Sequence, residues 1–418
     1  MALLFLCLIF GTGRTQKIEA AVQNVPESLE EESRLDTVGT DQETERAAVR
    51  EKKGQQEKEA GDTETDQAAA AQDELLAELD FDAIQQEVDS LLSSQQFSFA
   101  GTVRSLLQDG DPFRTFHAGN AVLSCAKTAF LAQKGLMKEL FLLVLAGAVL
   151  GSFSSLFEGK QVRDASFYMV YLLALALILK NFQSSGENLK AVITSLVAFM
   201  RILTPSYYLA AAAAGGASSA VMFYQMLLLV ILAVEKLLLA LVLPMIHIYL
   251  LIALVNDLSG EEILSHMTEL LETCVNGLLK SSLGVLVGMQ MIRNLIAPAL
   301  DSLRQMALWR TAGMIPGIGN AVNAVTELVA GSAVLIRNCF GVTAMLVLLA
   351  AGMVPAVQLL VSGLSFRLLA AAAQPVSDKR IAGCLAAAGK GYAMLLRLLL
   401  TVEVLFLLTI AILAGTFS

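Results

Sequence analysis

The chain is 418 residues long and 56% hydrophobic, with 16% charged residues and a mean hydropathy of +0.64. A soluble domain carries about 25% charge, so this composition excludes an ordinary soluble globule. The formal net charge of −9 averages two unlike parts: residues 21–90 hold 21 acidic and 6 basic side chains, whereas 91–418 hold 16 acidic and 21 basic and contain nearly every long apolar run.

Met1 to Phe10 is almost wholly apolar and halts at Gly11-Thr-Gly-Arg14. It is too short to span a bilayer and suits the core of a signal peptide over residues 1–20, with small residues for cleavage after Gly13 or Ala20. No Lys or Arg precedes that core, and a retained anchor is the alternative. Cys7 lacks the small residues that a lipoprotein cleavage site needs before the cysteine.

Residues 21–72 are Glu, Gln, Thr, Asp and Ala with no aromatic side chain. Such a segment buries too little to offset its ordering entropy, and the expectation is an acidic, disordered, extracytoplasmic stretch. From Asp73 to Leu92, apolar residues (Leu75, Leu76, Leu79, Ile84, Val88, Leu91 and Leu92) recur at helical spacing among acids. This predicts an amphipathic helix that needs a partner surface. Residues 113–136, with Phe116, Val122, Leu123, Phe130 and Leu131, are the candidate within the chain, and another subunit is the alternative. Residues 73–137 are therefore expected to form extracytoplasmic amphipathic helices.

Residues 138–418 read as an all-α polytopic membrane domain of about seven to nine segments. Apolar runs fall at 139–157, 166–180, 190–212, 217–234, 237–255, 281–299, 328–345, 348–366 and 394–415. Residues 256–279 add an interfacial helix, with Ser259 and Glu262 as a capping box and Ile263, Met267, Leu270, Leu271 and Leu278 on its apolar face. If the amino-terminal part is exported, the basic loop with Lys160 and Arg163 is cytoplasmic. Nine crossings would then put the second basic loop, with Arg367, Lys379, Arg380 and Lys390, outside, so one segment, with 190–216 or 311–335 the leading candidates, is expected to be re-entrant or to lie in the interface.

Pro205 and Pro244 are 39 residues apart, as are Pro316 and Pro355. Cys274 and Lys280 match Cys384 and Lys390 at nearly the same offset. This suggests tandem repeats over 201–300 and 312–410, the kind of Gly/Pro-interrupted duplication found in transporter folds. Chance is the competing explanation, because Pro, Gly and Ala are common in membrane helices.

The chemistry is sparse. His117, His247 and His266 are scattered, the five cysteines show no paired spacing, and no catalytic pair, metal set or cofactor site is expected. Gly389-Lys390-Gly391 lacks the earlier glycine and the following Ser or Thr of a phosphate loop. No nucleic-acid-binding pattern is present. What remains is intramembrane charge. Arg201, Glu235, Lys236, Arg293, Arg337, Arg397 and Glu403 lie in or beside apolar runs, where an unpaired charge costs several kcal/mol. Lys236, Arg293 and Arg397 can snorkel to an interface. Glu403 reaches less far and is the leading functional candidate, through pairing with a base or by lining a polar passage. Gly284 and Gly288 form a GxxxG suited to close helix packing, within the chain or between copies.

Gln374-Pro-Val-Ser-Asp-Lys-Arg-Ile381, followed by Ala-Gly-Cys384 and an amphipathic lead into the last apolar run, resembles the carboxy-terminal signature of the stage III sporulation protein AE family. Pro205-Ser-Tyr-Tyr208 with its Ala/Gly run is similar too. The resemblance covers about residues 100–418 and leaves out the acidic stretch 27–72. It marks Pro375, Ser377, Asp378, Lys379 and Arg380 as the family-motif loop. It implies a non-enzymatic, multi-pass subunit in the mother-cell membrane around the forespore. Its expected role is a conduit or export-gate-like part of the channel linking the two cells and supporting late forespore gene expression. The expected partners are other stage III sporulation proteins, including a separate ATPase and intermembrane ring proteins, together with the lipid bilayer. An autonomous transporter of a small solute is the alternative, motivated by the repeats and Glu403.

Overall fold

A computed structural model describes residues 80–92, 97–109, 118–154, 160–213, 218–259, 264–312 and 319–415. The export signal, the acidic segment 21–72, the first residues of the 73–92 helix, Phe116 and Pro316 lie outside the described residues.

Every regular element among the described residues is helical. In chain order they are α1 (Phe81–Leu91), α2 (Phe99–Asp109), α3 (Ala118–Ser154), α4 (Lys160–Ala213), α5 (Ser218–Leu237), a π-helical segment (Leu238–Val242), α6 (Leu243–Ser259), α7 (Ser265–Ala312), α8 (Gly319–Ala373) and α9 (Lys379–Gly415). Among the described residues five stretches are long and apolar enough to cross a membrane: Phe167–Tyr207, Leu228–Ser259, Ser265–Met289, Gly331–Ala373 and Lys379–Ala411. The chain is a helical, polytopic membrane protein.

The expected segments are joined more than the sequence suggested. The runs 166–180 and 190–212 fall in the single helix α4, whose 54 residues extend about 80 Å at 1.5 Å per residue, against about 30 Å of hydrocarbon. The polar step between them does not break the helix because its polar residues are sorted by face. Lys180, Gln183, Ser184, Glu187, Asn188 and Lys190 point outward, while Phe182, Gly186 and Leu189 are buried. Likewise 328–345 and 348–366 share α8, and 281–299 continues from 265 in α7. The runs 217–234 and 237–255 form one path through the π-helical segment. Leu243 N–H bonds to Leu238 O there, and the extra residue per turn lets the helix pass Pro244, which has no N–H to donate.

Contacts fix the direction of each helix. Gly352 and Gly363 of α8 meet Glu403 and Gly389 of α9, so these two are antiparallel, whereas Phe182 of α4 meets Gly391 of α9 in a parallel pair. Tyr171 of α4 donates to Leu254 O of α6 at 2.6 Å, and Gly186 meets His247. Glu272 and Asn276 of α7 meet Lys390 and Arg397 of α9. Gly147 of α3 meets Val170 and Ile381. The result is an up-and-down bundle in which the end of α3, the start of α4, the end of α6 and the start of α9 gather at one end. The two basic stretches, 160–163 and 367–380, thus approach the same end of the bundle.

The amphipathic amino-terminal helices dock elsewhere than expected. Asp80 caps α1 by accepting from Ala83 N at 3.1 Å, and Ile84 and Val88 are its buried face. The Gln85 side chain clamps α1 to the start of α2: its Nε2 donates to Phe97 O at 2.7 Å and its Oε1 accepts from Phe99 N at 2.8 Å. α1 packs on α4 and α2 on α8. Phe130 and Leu131, offered as the partner surface on α3, are 58% and 66% exposed. Aromatic contact explains the choice: Phe340 of α8 lies 5.0 Å from Phe99, edge-on, and 6.2 Å from both Phe81 and Tyr207. This cluster sits at the end of the bundle opposite the α8–α9 loop.

Ser259 is the last residue of α6, its hydroxyl donating to Asn256 O. The Asn256 side chain accepts from Leu264 N at 2.8 Å, at the entry to α7. Glu262 lies outside the described residues.

Candidate functional site

A series of polar contacts runs along α9. At its start, Asp378 Oδ1 accepts from Arg380 N at 3.1 Å and its carbonyl accepts from Ile381 N, the usual service of an Asp at a helix entry. Ser377 N and Val376 N both bond to Ala373 O, so residues 374–378 form a tight connection that returns the chain antiparallel to α8. Pro375 and Lys379 are exposed, while Arg380 lies over the Phe167 ring at 5.4 Å. The candidate loop Pro375, Ser377, Asp378, Lys379 and Arg380 is thereby a turn plus a helix cap, with its basic groups at the bundle end.

One turn further, the Asp257 carboxylate of α6 rests against Gly383, and Cys384 is buried beside the Tyr171 hydroxyl. Lys390 forms an ion pair with Glu272 at 2.5 Å and lies 5.9 Å from the Tyr249 ring. The glycines flanking Lys390 serve packing. A Cβ on Gly389 would stand 2.8 Å from Arg367 Cγ and 3.2 Å from Gly363 O, so α8 and α9 approach backbone to backbone here.

At mid-bundle Tyr392 is fully buried. Its ring stacks on Phe366 at 5.3 Å and meets Phe182 edge-on at 5.2 Å. Its hydroxyl accepts from Asn181 Nδ2 at 2.6 Å and lies 3.2 Å from Ser185 Oγ. Tyr392→Phe keeps the stacking and strands the Asn181 amide. We expect a loss of about 1 kcal/mol, as for one interhelical hydrogen bond in a membrane protein. The check is the thermal midpoint of detergent-solubilised protein, which Tyr392→Ala should lower much further.

Beyond lies Glu403, 8% exposed. Its carboxyl fills the notch that Gly352 leaves on α8, and a methyl at Gly352 would coincide with Glu403 Oε1. The remaining intramembrane charges are dispersed. Arg397 is exposed and donates to Asn276 Oδ1 at 3.1 Å. Half-buried Glu235 is within electrostatic reach of Arg201. Arg337 is 1% exposed and faces Tyr207 near the Phe340 cluster. Arg337 and Glu403 therefore belong to different places in the bundle. Pro205 lies exposed inside α4 near its far end. Gly284 and Gly288 are on the outward side of α7, with open space where a Cβ would stand. Pro244 and Pro355 lie on helical paths running in the same direction, as Cys274 and Cys384 do; Cys274 is exposed and Cys384 buried. Among the described residues no group of His, Cys, Asp and Glu is placed to hold a metal ion.

The family model described as Stage III sporulation protein AE matches residues 97–416. The chain belongs to that family. The match takes in α2 to α9 and leaves α1 ahead of it. Stage III sporulation protein AE of Bacillus subtilis (strain 168) is 22% identical over 291 residues, which is 69% of this chain and 73% of that protein. No solved structure matches the chain. Within the stage III sporulation protein AE family, this chain is a sporulation membrane protein whose matched region is the helical bundle itself.

Sequence reasoning found Glu403 and missed its seat, Gly352. It also missed Tyr392 with Asn181 and Ser185. The available signals were a glycine inside a long apolar helix and a tyrosine preceded by two glycines at close spacing.

Proposed function

We propose that the protein is a multi-pass subunit of the channel complex that joins mother cell and forespore, acting as a conduit or export-gate-like part and not as an enzyme. The observation that carries this reading is the family match across the whole bundle. The polarity of the bundle supports it. The short α8–α9 loop with Arg367, Lys379 and Arg380 occupies one end and suits the cytoplasm of the mother cell under the positive-inside bias. α1 and α2 occupy the other end and suit the space between the two membranes. On this reading the basic end receives the separate ATPase, and the α1–α2 end, with the acidic segment ahead of it, faces the ring-forming proteins and the forespore.

Affinity purification of the tagged full chain from sporulating cells, in a mild detergent, tests the assignment. Other stage III membrane proteins and the ATPase should co-purify. Recovery of the chain alone under conditions that preserve other membrane complexes would reject it. A cysteine placed at Lys379 in a cysteine-free background should react with a membrane-impermeant thiol reagent only after the mother-cell membrane is permeabilised; labelling of intact cells would reverse the orientation. The autonomous-transporter reading draws on the buried Glu403 and separates cleanly: purified protein in liposomes would then move a solute, with Glu403→Gln abolishing the flux.

A further inference from the structure

The Glu403 carboxyl stands out among the buried groups. The long charged side chains Lys390 and Arg397 on the same helix meet Glu272 and Asn276, respectively. Glu403 Oε1 is buried with no hydrogen-bond partner among the described residues. The two hydroxyls nearest in sequence are already committed to their own helix: Thr401 Oγ donates to Arg397 O at 2.8 Å and Thr409 Oγ to Leu405 O at 2.7 Å. Facing this stretch, α8 contributes Gly352. The cleft beside Val402, Leu405 and Phe406 is lined by Ile231, Val234, Glu235 and Leu238 of α5 and the π-helical segment, and by Leu286 of α7. The charged group there among the described residues, Glu235, has the same sign as Glu403 and is in reach of Arg201.

Among the described residues a bare carboxylate in that setting meets no cation and no donor, inside a bundle surrounded by hydrocarbon. The cost of such a charge is several kcal/mol, and it disappears when the group takes up a cation. We infer that Glu403 is a proton-binding site: its carboxyl, seated in the Gly352 notch between α8 and α9, holds one proton in the folded protein. The proton gives the carboxyl a neutral form that the apolar seat accepts, and it ties occupancy of the site to the docking of α8 on α9. The inference does not depend on the channel reading.

Infrared difference spectroscopy of the full-length protein reconstituted in lipid, wild type against Glu403→Gln, tests it. The expected result is a protonated-carboxyl carbonyl band in the wild type that is lost in Glu403→Gln, whose isosteric amide keeps the seat filled. Carboxylate bands in place of that carbonyl band overturn the proposal. If those bands shift on adding Na⁺ or K⁺, the occupant is a metal ion and the proton assignment is equally rejected. A measurement without any variant provides a second arm, because apolar carbodiimides react with protonated carboxyls in apolar surroundings. Dicyclohexylcarbodiimide should label Glu403 in native membranes. A water-soluble carbodiimide with an amine nucleophile should label Glu269, whose side chain is 80% exposed, and spare Glu403. Glu403 labelled by the water-soluble reagent as readily as Glu269 would show a hydrated carboxylate and overturn the site.

Discussion

Replacing Gly352 with alanine should destabilise the bundle by about 1–3 kcal/mol, the usual cost of forcing one extra carbon into a packed interface. The added methyl would occupy the position of Glu403 Oε1, and the carboxyl sits where α8 and α9 lie against each other. Neither helix has room to yield nearby: α9 is closed on α8 at Gly363 and Gly389, where Gly363 O stands 3.2 Å from the Cβ that Gly389 would carry. The carboxyl must therefore leave its seat or the helices must part. A double-mutant cycle distinguishes this from a general intolerance of alanine. Glu403→Ala in the Gly352→Ala background removes the colliding oxygen, so the pair should be more stable than Gly352→Ala alone, with a coupling of about 1–3 kcal/mol. The readout is the thermal midpoint in detergent or in lipid nanodiscs. Additive losses in the double mutant would mean that the notch does not seat the carboxyl.

Gly352 also marks where the sequence stops being legible. The helical class, the long apolar runs and the charge split follow from composition and periodicity, because a backbone in hydrocarbon must satisfy itself and a helix is the local way to do so. Glu403 could be found for the same reason, as an acid in a run that excludes acids. Its partner could not, since a glycine within Ala350-Ala351-Gly352-Met353 reads as one more small residue of a membrane helix. Which small residue receives a side chain depends on the antiparallel register of α8 and α9, set by the loop at 374–378 and the contact at Gly389. The joining of neighbouring apolar runs into single helices was hidden on a similar ground. A window of about twenty residues treats Lys180 to Lys190 as a break, but the helix continues because Asn181, Ser185 and Gly186 turn toward Tyr392 and His247 while the charged residues turn away. The docking of α1 was out of reach for a third reason. Its apolar stripe fits many surfaces, and the aromatic cluster that selects α4 and α8 comes from residues more than 100 positions away. Gly284 and Gly288 have the spacing of a close-packing motif, and only the fold places them on the outside of α7, with open space where a Cβ would stand.

Phe340→Ala should have the largest effect of any single truncation at the α1–α2 end. Phe340 is fully buried and its ring meets those of Phe81, Phe99 and Tyr207, so it joins α1 and α2 to α4 and α8. Emptying such a site costs about 3–5 kcal/mol from lost burial and the cavity left behind. Each lost aromatic pair adds up to about 1 kcal/mol. The loss should fall unevenly. The α8–α9 and α4–α9 contacts lie farther along the bundle, at Gly363, Tyr392 and Cys384, and do not involve Phe340, so the membrane core should survive while α1 and α2 detach. Limited proteolysis of the reconstituted protein reads this directly: Phe340→Ala should shorten the resistant fragment to one beginning after α2, and Phe340→Leu should do so only in part. Leu131→Ala is the matched control, because Leu131 is 66% exposed on α3 and takes no part in the cluster; its digestion pattern should equal that of the wild type. If Phe340→Ala left the α1–α2 fragment as protected as before, the aromatic cluster would not be what holds these helices to the bundle. The proposed placement of these helices between the two membranes would then need another anchor.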